Sequence, residues 1–67
     1  MPLVNIKVAG EVTPEQKDRL IAGATDLIVE VLGKSPAVTW VVIDEVNAEN
    51  WGSGGISIAE RNRNAAG

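Results

Sequence analysis

Apolar and polar residues alternate at the start of the chain. Apolar Val4, Ile6 and Val8 are separated by single polar residues. A period of two residues is typical of a strand that buries one face and exposes the other. The pattern therefore predicts a first strand over residues 3–8.

A helical period follows this strand. Thr13 can cap a helix with its hydroxyl group, Pro14 suits the first helical position, and Gln16 can complete a capping box. Apolar residues then recur three or four positions apart, as on one face of a helix. They are Leu20, Ala24, Leu27, Ile28 and Val31, widened by Ile21 and Leu32. Gly33 is a typical residue just beyond a helix end, so we predict a helix over about residues 14–32.

The second half of the chain is typical of a strand followed by a small hairpin. Residues 38–46 are rich in β-branched and aromatic side chains, which predicts a strand buried over much of both faces. Residues 47–55 form a glycine-rich loop, and residues 56–58 form a short strand. Residues 59–67 are small and polar, and we expect a tail that is partly mobile.

The order of the elements predicts a single α+β domain. A strand, a helix and a second strand at this spacing form a βαβ unit whose two strands are parallel. Two long strands and one helix bury little apolar surface, and they leave strand edges and one sheet face uncovered. We therefore expect the chain to associate with copies of itself through shared sheets.

Composition and charge exclude several classes of function. The 67 residues carry a net charge of −3, and the six basic residues are scattered, so no nucleic-acid surface is predicted. Cysteine and histidine are both absent, so we expect no zinc site. No apolar stretch approaches the ~20 residues of a membrane span. The chain start does not resemble a signal peptide, so we expect a cytoplasmic protein without a membrane partner.

Proline as the second residue is the main candidate for chemistry. Initiator methionine is usually removed when a small residue follows it, which would leave Pro2 with a free secondary amine. Such an amine can accept and return a proton or attack a carbonyl group. An apolar pocket would disfavour its ammonium form and lower its pKa toward neutrality. The alternative is an amine with no role.

Four segments resemble a known family. They are Met1-Pro2-Leu3-Val4-Asn5-Ile6, Thr13-Pro14-Glu15-Gln16-Lys17, Trp40-Val41-Val42-Ile43-Asp44-Glu45-Val46 and Glu49-Asn50-Trp51-Gly52-Ser53-Gly54-Gly55. Together they resemble the 4-oxalocrotonate tautomerase family over residues 2 to about 60. The resemblance implies a tautomerase-like βαβ protomer over residues 1–67, paired into a four-stranded sheet and assembled as a hexameric trimer of dimers. A dimer is the alternative. It also implies a cofactor-free reaction in which the terminal proline is the general base.

The residues that the family uses to bind substrate are only partly present. The resemblance places the catalytic proline at Pro2 and the aromatic pocket residue at Trp51. The two arginines of the best-known members fall on Val12 and Trp40. Because each charged hydrogen bond is worth about 1.5–3 kcal/mol, their loss would cost several kcal/mol of binding. We therefore expect a monocarboxylate, such as an arylenolpyruvate, in place of the family's dicarboxylate.

Other candidate residues have two interpretations each. Trp51 and Trp40 either line a pocket or pack in a core or interface. Arg61 and Arg63, which lie two residues apart near the end of the chain, either replace the missing arginines or belong to a solvated tail. Lys7 either approaches the Pro2 amine or lies on a solvated strand face.

Three functional hypotheses follow from this sequence. The first is a cofactor-independent keto–enol tautomerase in which Pro2 moves a proton within a small enol or 2-oxo acid. The second is another use of the same amine, in hydration or dehalogenation of an unsaturated acid or in iminium formation with an aldehyde. The third is an oligomer that keeps the fold and has lost catalysis together with the arginines.

Overall fold

The computed structural model describes residues 2–66 and contains a βαβ unit followed by a small hairpin and a second helix. The elements are β1 (Leu3–Ala9), α1 (Pro14–Leu32), β2 (Trp40–Val46), β3 (Gly52–Ser53), β4 (Ile56–Ser57) and α2 (Ile58–Ala66). β1 and β2 are parallel, in a register that runs from Leu3 opposite Trp40 to Ala9 opposite Val46. β3 and β4 are antiparallel. The predicted α+β class, the parallel pair and the hairpin are confirmed.

Local capping interactions fix both ends of α1. The Thr13 hydroxyl oxygen accepts a hydrogen bond from the Gln16 backbone N–H at 3.1 Å, and Gln16 Oε1 accepts one from the Thr13 N–H at 2.9 Å. At the other end, Gly33 adopts a φ of +66° and donates its N–H to the Val29 carbonyl at 3.0 Å. The predicted helix limits are confirmed because the capping residues lie next to the turns that they stabilise.

β2 begins two residues later than predicted. Pro36–Val38 forms a single 3₁₀ turn. The Ser35 hydroxyl oxygen accepts from the Ala37 N–H at 3.3 Å, and the Thr39 hydroxyl donates to the Ser35 carbonyl at 3.0 Å. These side-chain bonds hold the backbone in a turn, so Val38 is not part of the strand although its β-branched side chain favours one.

The predicted apolar face of α1 is divided between two sides of the helix. Ala24 and Ile28 are half-buried, and α1 packs against β2. Leu27 and Val31 are 58% and 69% exposed, and Leu20 is also exposed. The helix therefore presents a second apolar surface that the protomer does not cover.

The outer face of the sheet is also uncovered. Leu3 and Trp40, which lie opposite each other, are 64% and 55% exposed, and Val42 is exposed on the same face. At the other end of this face, Lys7 Nζ lies 2.7 Å from Asp44 Oδ2. The prediction that β2 is buried on both faces is therefore wrong for the protomer, because α1 covers only one side.

The C-terminal segment, for which a partly mobile tail was expected, forms a helix over Ile58–Ala66. The Ser57 hydroxyl oxygen accepts from the Glu60 N–H at 3.1 Å and caps the first turn of α2. The Arg61 Nη2 donates to the Ser53 carbonyl at 2.9 Å and ties the helix to the hairpin. This contact with the hairpin is not apparent from local composition. Gly67 lies outside the described residues, and mobility of the segment stays a prediction.

The protomer is elongated and has a large surface. Its radius of gyration is 15.5 Å, and its extents are 47 × 25 × 15 Å. A compact chain of this length has a radius of about 11 Å. The accessible surface is 5078 Å², whereas about 4,000 Å² is typical of this mass. No residue within 2–65 is fully buried, so the protomer leaves these apolar surfaces uncovered.

The helices of residues 2–66 are too short or too polar to cross a membrane.

Candidate active site

Pro2 is held at the amino end of the sheet by its backbone carbonyl. That carbonyl accepts a hydrogen bond from the Trp40 N–H at 3.0 Å, one residue before β1 begins. Pro2 is half-buried. The bond fixes the residue in place and leaves the prolyl nitrogen uninvolved. A free amine at Pro2 depends on the removal of Met1, which lies outside the described residues.

Trp40 lies beside Pro2 and is not a core residue of the protomer. It begins β2 and lies opposite Leu3 in the parallel register. More than half of its surface is exposed, so the interpretation that Trp40 packs within the protomer is wrong. Its indole is available to an apolar substrate or to a neighbouring subunit.

Val12 lies at the opposite end of β1 from Pro2. The strand from Leu3 to Ala9 rises about 3.3 Å per residue, so its two ends are about 20 Å apart. Val12 borders an open groove of about 590 Å³, which Glu11, Gln16, Arg19 and Leu20 also line. Pro2 and Val12 of one protomer therefore cannot contact the same small molecule.

Trp51 belongs to the C-terminal unit of the protomer. It follows a 3₁₀ turn at Ala48–Asn50, and its carbonyl accepts from the Ile58 N–H at 2.7 Å. Its side chain is half-buried. Trp51 follows the carboxyl end of β2, whereas Pro2 precedes the amino end of β1. A role beside Pro2 stays a prediction.

Arg61 and Arg63 do not form a basic pair. Both belong to α2, where residues two apart point about 200° from each other around the axis. Arg61 is engaged with the Ser53 carbonyl of the hairpin. A role for Arg61 or Arg63 in place of the missing arginines stays a prediction, and each side chain retains free N–H donors.

The lysines of the sheet and the first helical turn are engaged in ion pairs. Lys7 pairs with Asp44 across the strands, and Lys17 on α1 pairs with Glu45 on β2. Lys7 therefore does not approach the Pro2 amine, because it is bound to Asp44 five residues along the strand. Both pairs are partly exposed, so they contribute little free energy of unfolding.

Arg19 is a basic residue of the groove that sequence reasoning missed. Among residues 2–66 it has no carboxylate within ion-pair distance. Helical spacing places Gln16, Arg19 and Leu20 near one another at the start of α1, but it does not place Val12, which precedes the helix, beside them. Arg19 was missed because the polar residues on either side of it indicate only an exposed part of the helix.

The whole described chain matches known tautomerases in sequence. Residues 2–61 match a family model described as "Tautomerase enzyme". The probable tautomerase K2 of Dickeya dadantii is 55% identical over 67 residues, which cover 98% of this chain and 100% of the relative. The 2-hydroxymuconate tautomerase of Comamonas testosteroni is 36% identical over 63 residues, with 94% and 100% covered.

Solved structures give the same assignment. The crystal structure of DmpI from Helicobacter pylori has a TM-score of 0.85 and 45% sequence identity, and the match covers 92% of this chain and 97% of that one. A 4-oxalocrotonate tautomerase from Chloroflexus aurantiacus, described as a heterohexamer, has a TM-score of 0.83 and 30% identity, with 90% and 97% covered. This chain therefore belongs to the tautomerase family, with the fold of the 4-oxalocrotonate tautomerases, and is an enzyme of the isomerase class.

Proposed function

We propose that the protein is a cofactor-independent keto–enol tautomerase and that the Pro2 nitrogen is its general base once Met1 has been removed. One observation carries the proposal. The Trp40 N–H donates to the Pro2 carbonyl at 3.0 Å, so this half-buried residue is fixed at the amino end of the sheet while its nitrogen takes no part in the sheet. A rigid amine in a partly buried position suits proton transfer near neutral pH.

The reaction needs one proton acceptor that also returns the proton. The neutral amine takes the hydroxyl proton of an enol, the enol oxygen becomes the carbonyl oxygen, and the carbon–carbon double-bond electrons form a new carbon–hydrogen bond. The proton for that bond comes from the prolinium ion. The amine is neutral again at the end, so no cofactor or external acid is consumed.

We infer that the complete site lies between subunits. Within residues 2–66, β1 pairs with β2 along one edge only, so its second edge is free for another strand. If two copies of β1 pair antiparallel about a twofold axis, the amino end of one meets the carboxyl end of the other. Pro2 of one subunit then lies next to the groove at the partner subunit's Val12. A homohexamer, built as a trimer of dimers, is the proposed assembly, and the heterohexameric relative supports it.

We propose a small enol or 2-oxo acid with one carboxylate as the substrate. Exposed Trp40 and half-buried Trp51 favour an apolar or aromatic group on the substrate. The residues at positions 12 and 40 lack the charge to bind the second carboxylate of a dicarboxylate. The relative named for 2-hydroxymuconate supports an enolic acid as the class. The absence of cysteine suits a reducing compartment, and we place the protein in the cytoplasm.

The proposal is tested by ketonisation of phenylenolpyruvate with wild type and Pro2→Ala. Alanine also permits removal of Met1, so intact mass should show the same processing in both proteins. We expect the variant to lose about a hundredfold or more in kcat/KM, as is typical of a lost general base. Equal rates would exclude the proline mechanism. Trapping of an aldehyde adduct by borohydride in place of ketonisation would favour the iminium alternative.

A further inference from the structure

The groove at the start of α1 combines apolar walls with one unpaired cation. Val12 and Leu20 supply apolar surface, and Arg19 supplies a guanidinium group. Gln16 uses its Oε1 to cap the helix, which leaves its amide NH₂ as a free donor. An apolar cleft with a few convergent donors is the usual form of a small-ligand site.

Arg19 is the one basic side chain among the residues that line the groove. Lys7 and Lys17 have carboxylate partners. Within residues 2–66, no carboxylate lies within ion-pair distance of Arg19, even though Glu11 lines the same groove. A planar guanidinium can bind both oxygens of a carboxylate at once, with stronger hydrogen bonds than those between neutral groups.

We propose that Arg19 binds the carboxylate of the substrate in this groove and that Glu11 excludes a second carboxylate. The catalytic part of this inference rests on the proposed function, whereas anion binding by Arg19 does not. The Val12 side chain has no hydrogen-bond donor. Arg19 borders the same groove, so α1 supplies the positive charge that residue 12 does not. Because the Glu11 carboxylate offsets part of the Arg19 charge and repels a second negative charge, the groove favours a monocarboxylate over a dicarboxylate.

The test measures binding by calorimetry, with a carboxylate that cannot tautomerise. Cinnamate is the probe, and cinnamamide is its uncharged counterpart. We expect Arg19→Gln to weaken cinnamate binding about tenfold and to leave cinnamamide binding unchanged. Lys34→Gln removes the same charge just beyond the far end of α1 and should leave both affinities unchanged. Arg19→Lys keeps the charge without the planar fork, so cinnamate alone should bind about threefold more weakly.

Circular dichroism and size-exclusion chromatography establish that each variant keeps the fold and the assembly. If Arg19→Gln fails to fold, Arg19→Lys carries the test alone. Equal cinnamate affinities for wild type, Arg19→Gln and Lys34→Gln would overturn the inference, and so would a wild type that does not bind cinnamate. An inactive wild type with the expected binding pattern would refute the proposed function and leave the Arg19 site standing. A Pro2-dependent enzyme without that pattern would refute the Arg19 site alone.

Discussion

Arg61 Nη2 donates to the Ser53 backbone carbonyl at 2.9 Å and thereby joins α2 to the hairpin that follows Trp51. The Ile58 N–H donates to the Trp51 carbonyl at 2.7 Å in the same unit. These two bonds connect the helix with the segment on either side of Gly52. Arg61 is therefore expected to hold the Trp51 segment in place.

Arg61→Gln is expected to loosen this unit without unfolding the protomer. A glutamine side chain is too short to reach the Ser53 carbonyl, so the environment of Trp51 should become more exposed. The measurement is the fluorescence emission of Trp51 in a Trp40→Phe background, where we expect a shift to longer wavelength. Arg63→Gln removes the same charge from the opposite side of α2 and should leave the emission unchanged. Identical spectra for both variants and their parent would contradict the role given to Arg61.

Gly52→Ala is expected to disrupt the hairpin. A Cβ atom at residue 52 would lie 2.8 Å from the Ile56 carbonyl oxygen, which is backbone and cannot rotate away. Since overcrowding of this kind typically costs about 1–3 kcal/mol, the midpoint of urea unfolding should fall. Ser53→Ala is the matched control, because it changes the next strand position without adding a Cβ atom. A midpoint for Gly52→Ala equal to that of Ser53→Ala would contradict the close approach of β3 and β4 at this position.

Thr13→Ala is expected to lower stability through the capping box of α1. The variant leaves the Gln16 N–H without its hydroxyl acceptor, and loss of such a cap typically costs about 1 kcal/mol. Urea unfolding at a fixed protein concentration measures the effect, because association changes the apparent stability. Thr13→Ser retains the acceptor and should retain most of the stability. Equal losses in the two variants would show that the hydroxyl group is not the cause.

Glu11→Gln is expected to relax the preference for a single carboxylate. The change removes a negative charge from the groove that contains Arg19. Binding of trans,trans-muconate should therefore strengthen more than binding of cinnamate, by about threefold for an exposed site. Calorimetry with both ligands measures the ratio. Glu30→Gln on the exposed part of α1 provides the same charge change outside the groove, and an equal ratio in both variants would contradict the role of Glu11.

Sequence predicts those parts of the fold that local interactions determine. Thr13, Gln16 and Gly33 lie beside the turns that they cap, so both limits of α1 follow from the residues themselves. The alternation of apolar and polar residues over β1 likewise identifies the half-buried face of that strand. The start of β2 was predicted two residues too early because hydrogen bonds of Ser35 and Thr39 outweigh the strand preference of Val38.

Interactions between distant residues account for the remaining errors. α2 is polar, and its contact with the hairpin depends on Arg61 reaching a carbonyl eight residues earlier. The exposed side of α1 was missed because periodicity shows which residues are apolar and not which chain covers them. Pro2 and Trp40 come together through the parallel register that the βαβ pattern implies. The Arg19 groove depends on how Glu11 and Val12 lie against the start of α1. Residue spacing alone suggests this arrangement only in retrospect.

The central claim is that the free Pro2 amine carries the proton. Two samples of the same chain test it directly, one with Met1 removed and one with a short uncleaved extension before Pro2, each verified by intact mass. Both keep the proline ring and differ only in whether its nitrogen is an amine or an amide. We predict that phenylenolpyruvate ketonisation by the processed sample rises with pH as the amine loses its proton and that the extended sample shows only the uncatalysed rate. Equal catalysed rates in the two samples, with the same assembly by size-exclusion chromatography, would contradict the claim.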